Sequence, residues 1–318
     1  MLLSLILTAL VWSCNFAGFM LYLLLTIALN AYLFVAFKIF ERFKIDTLQA
    51  IVVNYWTCVA TGSISLGHFP VSAESFSMPW IGWAALMGAS FISIFNLIAY
   101  CTKADGITTT TIANKLSMVI PAGFALWLYA ERLNWTKGLG ILIAFPAVYL
   151  STRVKSEAGR KPNLLLPAVL FAGSGLLDTL VNFVSKRFFT GGDRLQNAAG
   201  QNVFLIHTFS AAGTLGALLV AYLLITGKRA FAWKNVLAGI VLGVPNYFSI
   251  YYLFQLLASG FLPGSAAIPV NNIGIVLAAS LTAMLVFGER ANAGRIVGML
   301  LSIAAILLIM LSDLHAGA

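Results

Sequence analysis

The sequence predicts an all-α membrane protein of about ten transmembrane helices, arranged as two inverted five-helix repeats. Three observations carry this expectation. Apolar residues make up 60% of the chain and charged residues only 9%, against about 25% charged in an ordinary soluble domain. Apolar runs of about 20 residues, each long enough for a hydrocarbon core of ~30 Å, recur from end to end. A short charged pattern occurs twice at one spacing.

The apolar runs cover residues 20–37, 47–66, 80–101, 108–130, 137–152, 163–185, 201–226, 234–257, 265–287 and 294–312. The connections are short, and the longest polar breaks lie near 153–162 and 186–200. The first break divides the chain into repeats at 20–152 and 163–312. Residues 1–19 are apolar but lack a basic leader, so they make a poor signal peptide. Met20 opens the first complete run and reads as a native start. An extra short helix over 1–19 is the other reading.

The repeat is visible in YAERLNWTKGLGIL (129–142) and FGERANAGRIVGML (287–300). At a constant offset of 158, the distance from Glu131 to Glu289, Arg132 matches Arg290, Asn134 matches Asn292, Lys137 matches Arg295 and Gly140 matches Gly298. The register extends back to Asn114 with Asn272 and Gly106 with Gly264. An odd number of spans per repeat inverts the second half. Inverted repeats mark transporters, with a site near the midplane between the halves.

These doubled GluArg–Asn–Lys/Arg–Gly endings resemble the EamA-type transporters of the drug/metabolite transporter superfamily. The resemblance runs over nearly the whole chain from Met20 and is strongest over 106–152 and 264–310. It implies ten helices, a central cavity and a place in the bacterial cytoplasmic (inner) membrane. It says little about substrate, since the superfamily handles amino acids, sugars, nucleotide sugars, purines and drugs. The chain departs from the family early in the second helix. There many members carry an arginine and this sequence reads AIVVNYW, with Asn54 and Tyr55.

Polar residues at helical spacing mark candidate cavity faces. The sixth run has Ser174, Asp178, Asn182 and Ser185. The eighth has Tyr247, Tyr251 and Gln255, flanked by Asn246 and Tyr252. The third has Ser93, Asn96 and Tyr100, and the fourth Thr111, Asn114 and Lys115. The first offers Thr26 and Asn30, and the ninth Asn271 and Asn272. Runs five and ten have no stripe and are left to face lipid or a second copy, which would make a homodimer through them. GIVLG at 239–243 has the small-residue spacing of helix contacts.

Only Lys115 and Asp178 are charges well inside the runs. Each costs ~2.5–3.5 kcal/mol at a helix centre, so both are expected to face water, each other or a ligand. With each run centred on the midplane, the two sit ~10 Å apart in depth. A substrate with both charges, such as an amino acid, would bridge them, and Lys115 alone would suit an organic anion. Pro121, Pro245 and Pro269 each remove a helix hydrogen bond and are expected to open their helices locally. The Glu131–Arg132 and Glu289–Arg290 pairs read as helix-end anchors.

Basic residues concentrate in the odd connections, among them Lys38, Arg42, Lys44, Lys103, Lys228, Arg229 and Lys234. The positive-inside rule then puts those loops in the cytoplasm and both termini outside, whereas the resemblance implies termini inside. Nucleic acid is excluded as a partner, because the basic residues are scattered loop residues. Cys14, Cys58 and Cys101 form no disulfide or metal pattern. No cofactor or catalytic motif is present, and no nucleotide-binding loop. The sequence therefore reads as a gradient-driven secondary transporter of small polar metabolites, not an enzyme. A membrane-embedded enzyme, a channel or a structural protein are the alternatives.

Overall fold

The computed structural model describes residues 2–128, 135–152, 164–189, 194–259, 261, 264–289 and 292–316. Among these residues the chain is all-α, with eleven helices and one short 3-10 turn at Ala73–Ser77. In chain order they are α1 (Leu2–Arg42), α2 (Thr47–Leu66), α3 (Ile81–Asp105), α4 (Ile107–Leu116), α5 (Val119–Leu128) and α6 (Trp135–Thr152). Then follow α7 (Leu165–Phe188), α8 (Arg194–Ile225), α9 (Trp233–Ala258), α10 (Gly264–Phe287) and α11 (Ala293–Ala316).

Among the described residues, six helical segments are long and apolar enough to cross a membrane: Ala17–Arg42, Ile81–Asp105, Leu165–Val184, Ala199–Ile225, Trp233–Leu257 and Ala267–Phe287. Large apolar side chains such as Leu218, Ile225 and Leu285 stand exposed along them, as a lipid-facing surface requires. The protein is an all-α, multi-pass membrane protein. The segment before Met20 is not a separate short helix, because α1 runs unbroken from Leu2.

Local chemistry fixes the helix ends. Asp46 accepts a hydrogen bond from the Gln49 amide at the start of α2 (3.2 Å), and Gly67 ends that helix at φ +81°, a conformation open to glycine. Gly106, at φ +89°, turns α3 directly into α4, and a Cβ there would lie 2.7 Å from Glu289 Oε1. The Glu289 carboxylate accepts from the amides of Ile107 (2.6 Å) and Thr108 (3.4 Å). It thus satisfies orphan donors at the α4 terminus, where the helix dipole favours negative charge. Arg295 stands 3.7 Å from the same carboxylate. Glu289 is the expected anchor, although the helix it caps belongs to the other half of the chain. Glu131, Arg132 and Arg290 lie outside the described residues.

The run expected over 108–130 is two helices, α4 and α5, separated by a turn at Ser117–Met118. Pro121 has no N–H for the Ser117 carbonyl, and the Ile120 amide takes that carbonyl at 2.9 Å instead. The Ser117 hydroxyl also bonds the Asn114 carbonyl, a local alternative to the helix ladder. Pro245 and Pro269 do not break their helices, and α9 and α10 run through them. In α9 the carbonyl freed by Pro245 is that of Val241, and the Tyr32 hydroxyl donates to it at 3.3 Å.

α6 and α11 make the most extensive helix contact in the molecule. A Cβ on Gly140 would come within 2.9 Å of the Ala305 carbonyl, and Ala144, Ala147, Ala305, Ile306 and Ile309 are buried. Runs five and ten are therefore packed on each other within the chain by one side, which the expectation that they face lipid or a second copy did not include. An apolar stripe shows that a face avoids water, not which apolar surface it meets. Their outer sides, with Leu142, Phe145 and Leu300, stay exposed.

Elsewhere α2 packs on α9 and α8, α3 on α8 and α7, α1 on α9 and α10, and α4 on α10 and α7. GIVLG does form a helix contact. A Cβ on Gly239 would lie 2.5 Å from the Ala50 carbonyl, and one on Gly243 2.7 Å from the Asn54 carbonyl.

Candidate functional site

The turn between α4 and α5 faces α7. Asn114 Nδ2 donates to Ser174 Oγ (3.0 Å), and Ser117 Oγ donates to Asp178 Oδ2 (3.3 Å). Both rungs advance along the chain together, so α4 and α7 run parallel here. Small residues set the register. A Cβ on Gly175 would meet Ile120 at 2.5 Å, and one on Gly173 would meet Ile94 at 2.6 Å.

Lys115 lies between the two rungs and is half-buried. It is close enough to Asp178 for each charge to act on the other, yet the two do not form a contact ion pair. Lys115 precedes Ser117 by a rise of ~3 Å, so the ~10 Å depth difference expected from centring both runs does not hold. The glycines of α7, and not the midpoint of its apolar run, decide its height against α4.

The faces of α7 differ along its length. At about 100° per residue, Pro167, Leu170, Phe171 and Ser174 lie on one side and are buried. Leu165, Val169 and Leu176 lie on the opposite side and are exposed. Asp178 and Asn182 belong to the inward side, and both are exposed. The inward face of α7 is therefore packed near its start and open towards its end, with a carboxylate at the transition.

The second half of the chain also reaches this turn. Asn272 Nδ2 on α10 donates to Met118 Sδ (3.5 Å). Asn114 and Asn272, which share one position in the sequence repeat, thus approach Ser117–Met118 from two sides. Asn271 is buried beside Asn272, and among the described residues no group satisfies its Oδ1.

The remaining predicted residues lie elsewhere. Tyr247 is buried against Gly62 of α2 and stacks on Tyr251 with ring centroids 6.3 Å apart. Tyr252 continues the cluster to Tyr22 of α1, and Gln255 is half-buried one turn on. This aromatic group borders α1 and α2. Asn96 and Tyr100 do not join Lys115 and Asp178. They line a separate cavity of about 390 Å³ with Ile45, Asp46, Thr47, Leu48, Lys103 and Arg229. The polar stripe on α3 is real, but Gly88 and Ile94 turn other sides of that helix to α8 and α7.

Ser117 escaped the sequence reading as a side chain, although it stands three residues after Asn114 on the same face. A second polar contact joins α2 and α9, where Asn246 Nδ2 donates to Asn54 Oδ1 (3.2 Å) and Cys58 Sγ to the Gly243 carbonyl (3.4 Å). Asn54 stands in the AIVVNYW stretch of α2.

No family model matches the chain. An uncharacterized protein of Haemophilus influenzae is 27% identical over 287 residues, covering 86% of this chain and 91% of that protein. A protein of known crystal structure superposes with a TM-score of 0.58 at 16% identity, over 93% of this chain and 98% of its own. At that identity the likeness is one of fold alone.

Proposed function

We propose that the chain is a secondary transporter of small polar metabolites, working by alternating access in the manner its EamA-type resemblance implies. The observation that carries the proposal is the exposed Asp178 on the inward side of a membrane helix, facing Lys115 across a helix break. Two opposite charges at this depth cost energy unless water or a ligand meets them, and broken helices are where transporters bind.

The packing supports an inverted repeat. Reading α4 and α5 as halves of one broken crossing gives the ten crossings the proposal needs, five in each half. Exchanging the halves preserves the main packing contacts, whereas lesser ones such as α1–α3 and α2–α3 have no comparable counterpart. The α2–α9 contact answers α8–α3, α1–α9 answers α7–α3, and α1–α10 answers α7–α4, while α2–α8, α4–α10 and α6–α11 map onto themselves. The bacterial relative agrees with a bacterial cytoplasmic membrane.

Asn114, Lys115, Asp178, Asn182, Asn271 and Asn272 would contact the substrate or a coupling proton. With the charges close in depth, a compact amino-acid-like zwitterion or an organic anion suits the site better than an extended molecule. The test is a thermal-shift screen of amino acids, sugars, nucleosides and organic anions, run beside Lys115→Met and Asp178→Asn. A ligand at 100 times its Kd stabilises by ~2.7 kcal/mol. The expected result is a hit that both variants lose. A hit that both keep removes this pair from the site, and flux that ignores any applied gradient removes the transport cycle.

A further inference from the structure

The cavity that holds Asn96 and Tyr100 has its own chemistry, independent of transport. It lies at the end of the bundle where α2 begins and α3 finishes, and it is built from Asp46, Thr47, Asn96, Tyr100, Lys103 and Arg229. Its walls are held firmly. The Asp46 amide donates to Asn235 Oδ1 (3.0 Å), Gln49 Nε2 donates to the Ala230 carbonyl (2.9 Å), and Arg229 Nη1 pairs with Asp46 Oδ1 (2.5 Å).

Two cations look into this space and one carboxylate is in it. Asp46 occupies Nη1 of Arg229. Lys103 donates to the Thr47 hydroxyl; Glu41 and Asp46 act on it only through space and are opposed by Arg229. Glu41 is itself paired with Lys38 at 2.9 Å. Around the rim Lys44, Lys228 and Lys234 are exposed. Among the described residues the cavity is thus lined by an ammonium with no carboxylate in contact and a guanidinium with donors to spare.

Its depth is equally informative. Lys103 is in the last turn of a membrane-length helix. Tyr100 and Asn96 lie about one and two turns further into the bilayer, ~5 and ~10 Å by helix rise, and Tyr100 is 61% exposed. A cationic end at the interface and an amphipathic wall leading into the apolar layer match a molecule with a charged head and an apolar body. Basic pockets between membrane helices on the positively charged side bind anionic lipid headgroups.

We propose that this cavity binds the phosphate of an anionic glycerophospholipid. Lys103 and Arg229 hold the phosphate, and Tyr100 and Asn96 line the path of the glycerol and chains. Under the positive-inside rule the site faces the cytoplasmic leaflet.

The test uses the full chain in detergent micelles, titrated with phosphatidylglycerol, phosphatidylcholine or inorganic phosphate and read by melting temperature and by native mass spectrometry. Phosphatidylglycerol is expected to raise the melting temperature and remain as a bound adduct, with phosphatidylcholine weaker. Lys103→Gln is expected to weaken phosphatidylglycerol binding about fivefold, the effect of one cation near a lipid surface, and Lys103→Arg to restore it. Equal effects of the two lipids, or unchanged binding in Lys103→Gln, overturn the proposal. An equal effect of inorganic phosphate shows a free-phosphate site and overturns the lipid assignment. Should Lys103→Gln fail to fold, a photo-crosslinking phosphatidylglycerol on the unmodified chain decides. Labelling within residues 45–48 or 96–103 supports the site, and labelling confined to other peptides overturns it.

Discussion

The segment α4–α5 and the helix α10 share one sequence pattern and differ in structure. Gly106 and Gly264 open them, and Asn114 and Asn272 hold the same place eight residues later. After that the two diverge. Lys115, Ser117 and Pro121 stand where α10 has Ile273, Ile275 and Ala279. The first copy breaks at Ser117 and faces Asp178, while the second continues to Phe287 and packs on α1, with Gly274 against Ile27. A repeated frame thus carries an unrepeated polar centre. The asparagines are shared, and the charge and the break are found in one copy.

The strongest way to break this comparison is to move the charge. Ile273→Lys puts an ammonium into α10, against apolar neighbours, and is expected to cost ~2.5–3.5 kcal/mol. Lys115→Met at the matching position is expected to raise stability, since it removes a half-buried charge whose proposed role is binding. Thermal unfolding of both variants in one detergent gives the contrast, and equal losses would mean the two positions are equivalent after all.

Gly175→Ala tests what sets the register. Its methyl group would meet Ile120 at 2.5 Å, so a loss of about 1–3 kcal/mol is expected, with ligand binding weakened because Ser117 and Asp178 are pushed apart. If stability falls and binding does not, the register of α7 is irrelevant to the site. Ser117→Ala is the smallest change. It removes the single hydroxyl proton that Asp178 and the Asn114 carbonyl share, of which a bond between membrane helices is worth about 0.6 kcal/mol, and a denaturant or thermal midpoint in triplicate resolves it. A loss several times larger would show that the hydroxyl holds the break open by itself.

The helices were legible in the sequence because length and apolarity alone specify a crossing. Observed ends such as Thr47–Leu66 and Gly264–Phe287 fall within a few residues of the expected runs. Lys115 and Asp178 were legible because charge in an apolar run is conspicuous. Their relative depth was not, since it depends on where Gly173 and Gly175 admit Ile94 and Ile120, a pairing of distant residues. Periodicity placed Ser93, Asn96 and Tyr100 on one face without showing that the face looks into a different cavity. The same limit hid the pairing of α6 with α11, whose surfaces read only as apolar.

The glycine contacts between the halves have a consequence for how the chain is made. Gly140 of α6 waits for Ala305 of α11, and Gly88 of α3 waits for Ala211 and Ala212 of α8. At a synthesis rate of ~5–20 residues per second, the first of these surfaces stays without its partner for roughly 8–30 s. The early helices cannot complete a stable unit by themselves during that time. Lipid or a protein of the insertion machinery must cover those small-residue faces until the later helices arrive, and residues 1–152 expressed alone should be degraded or associate with copies of themselves.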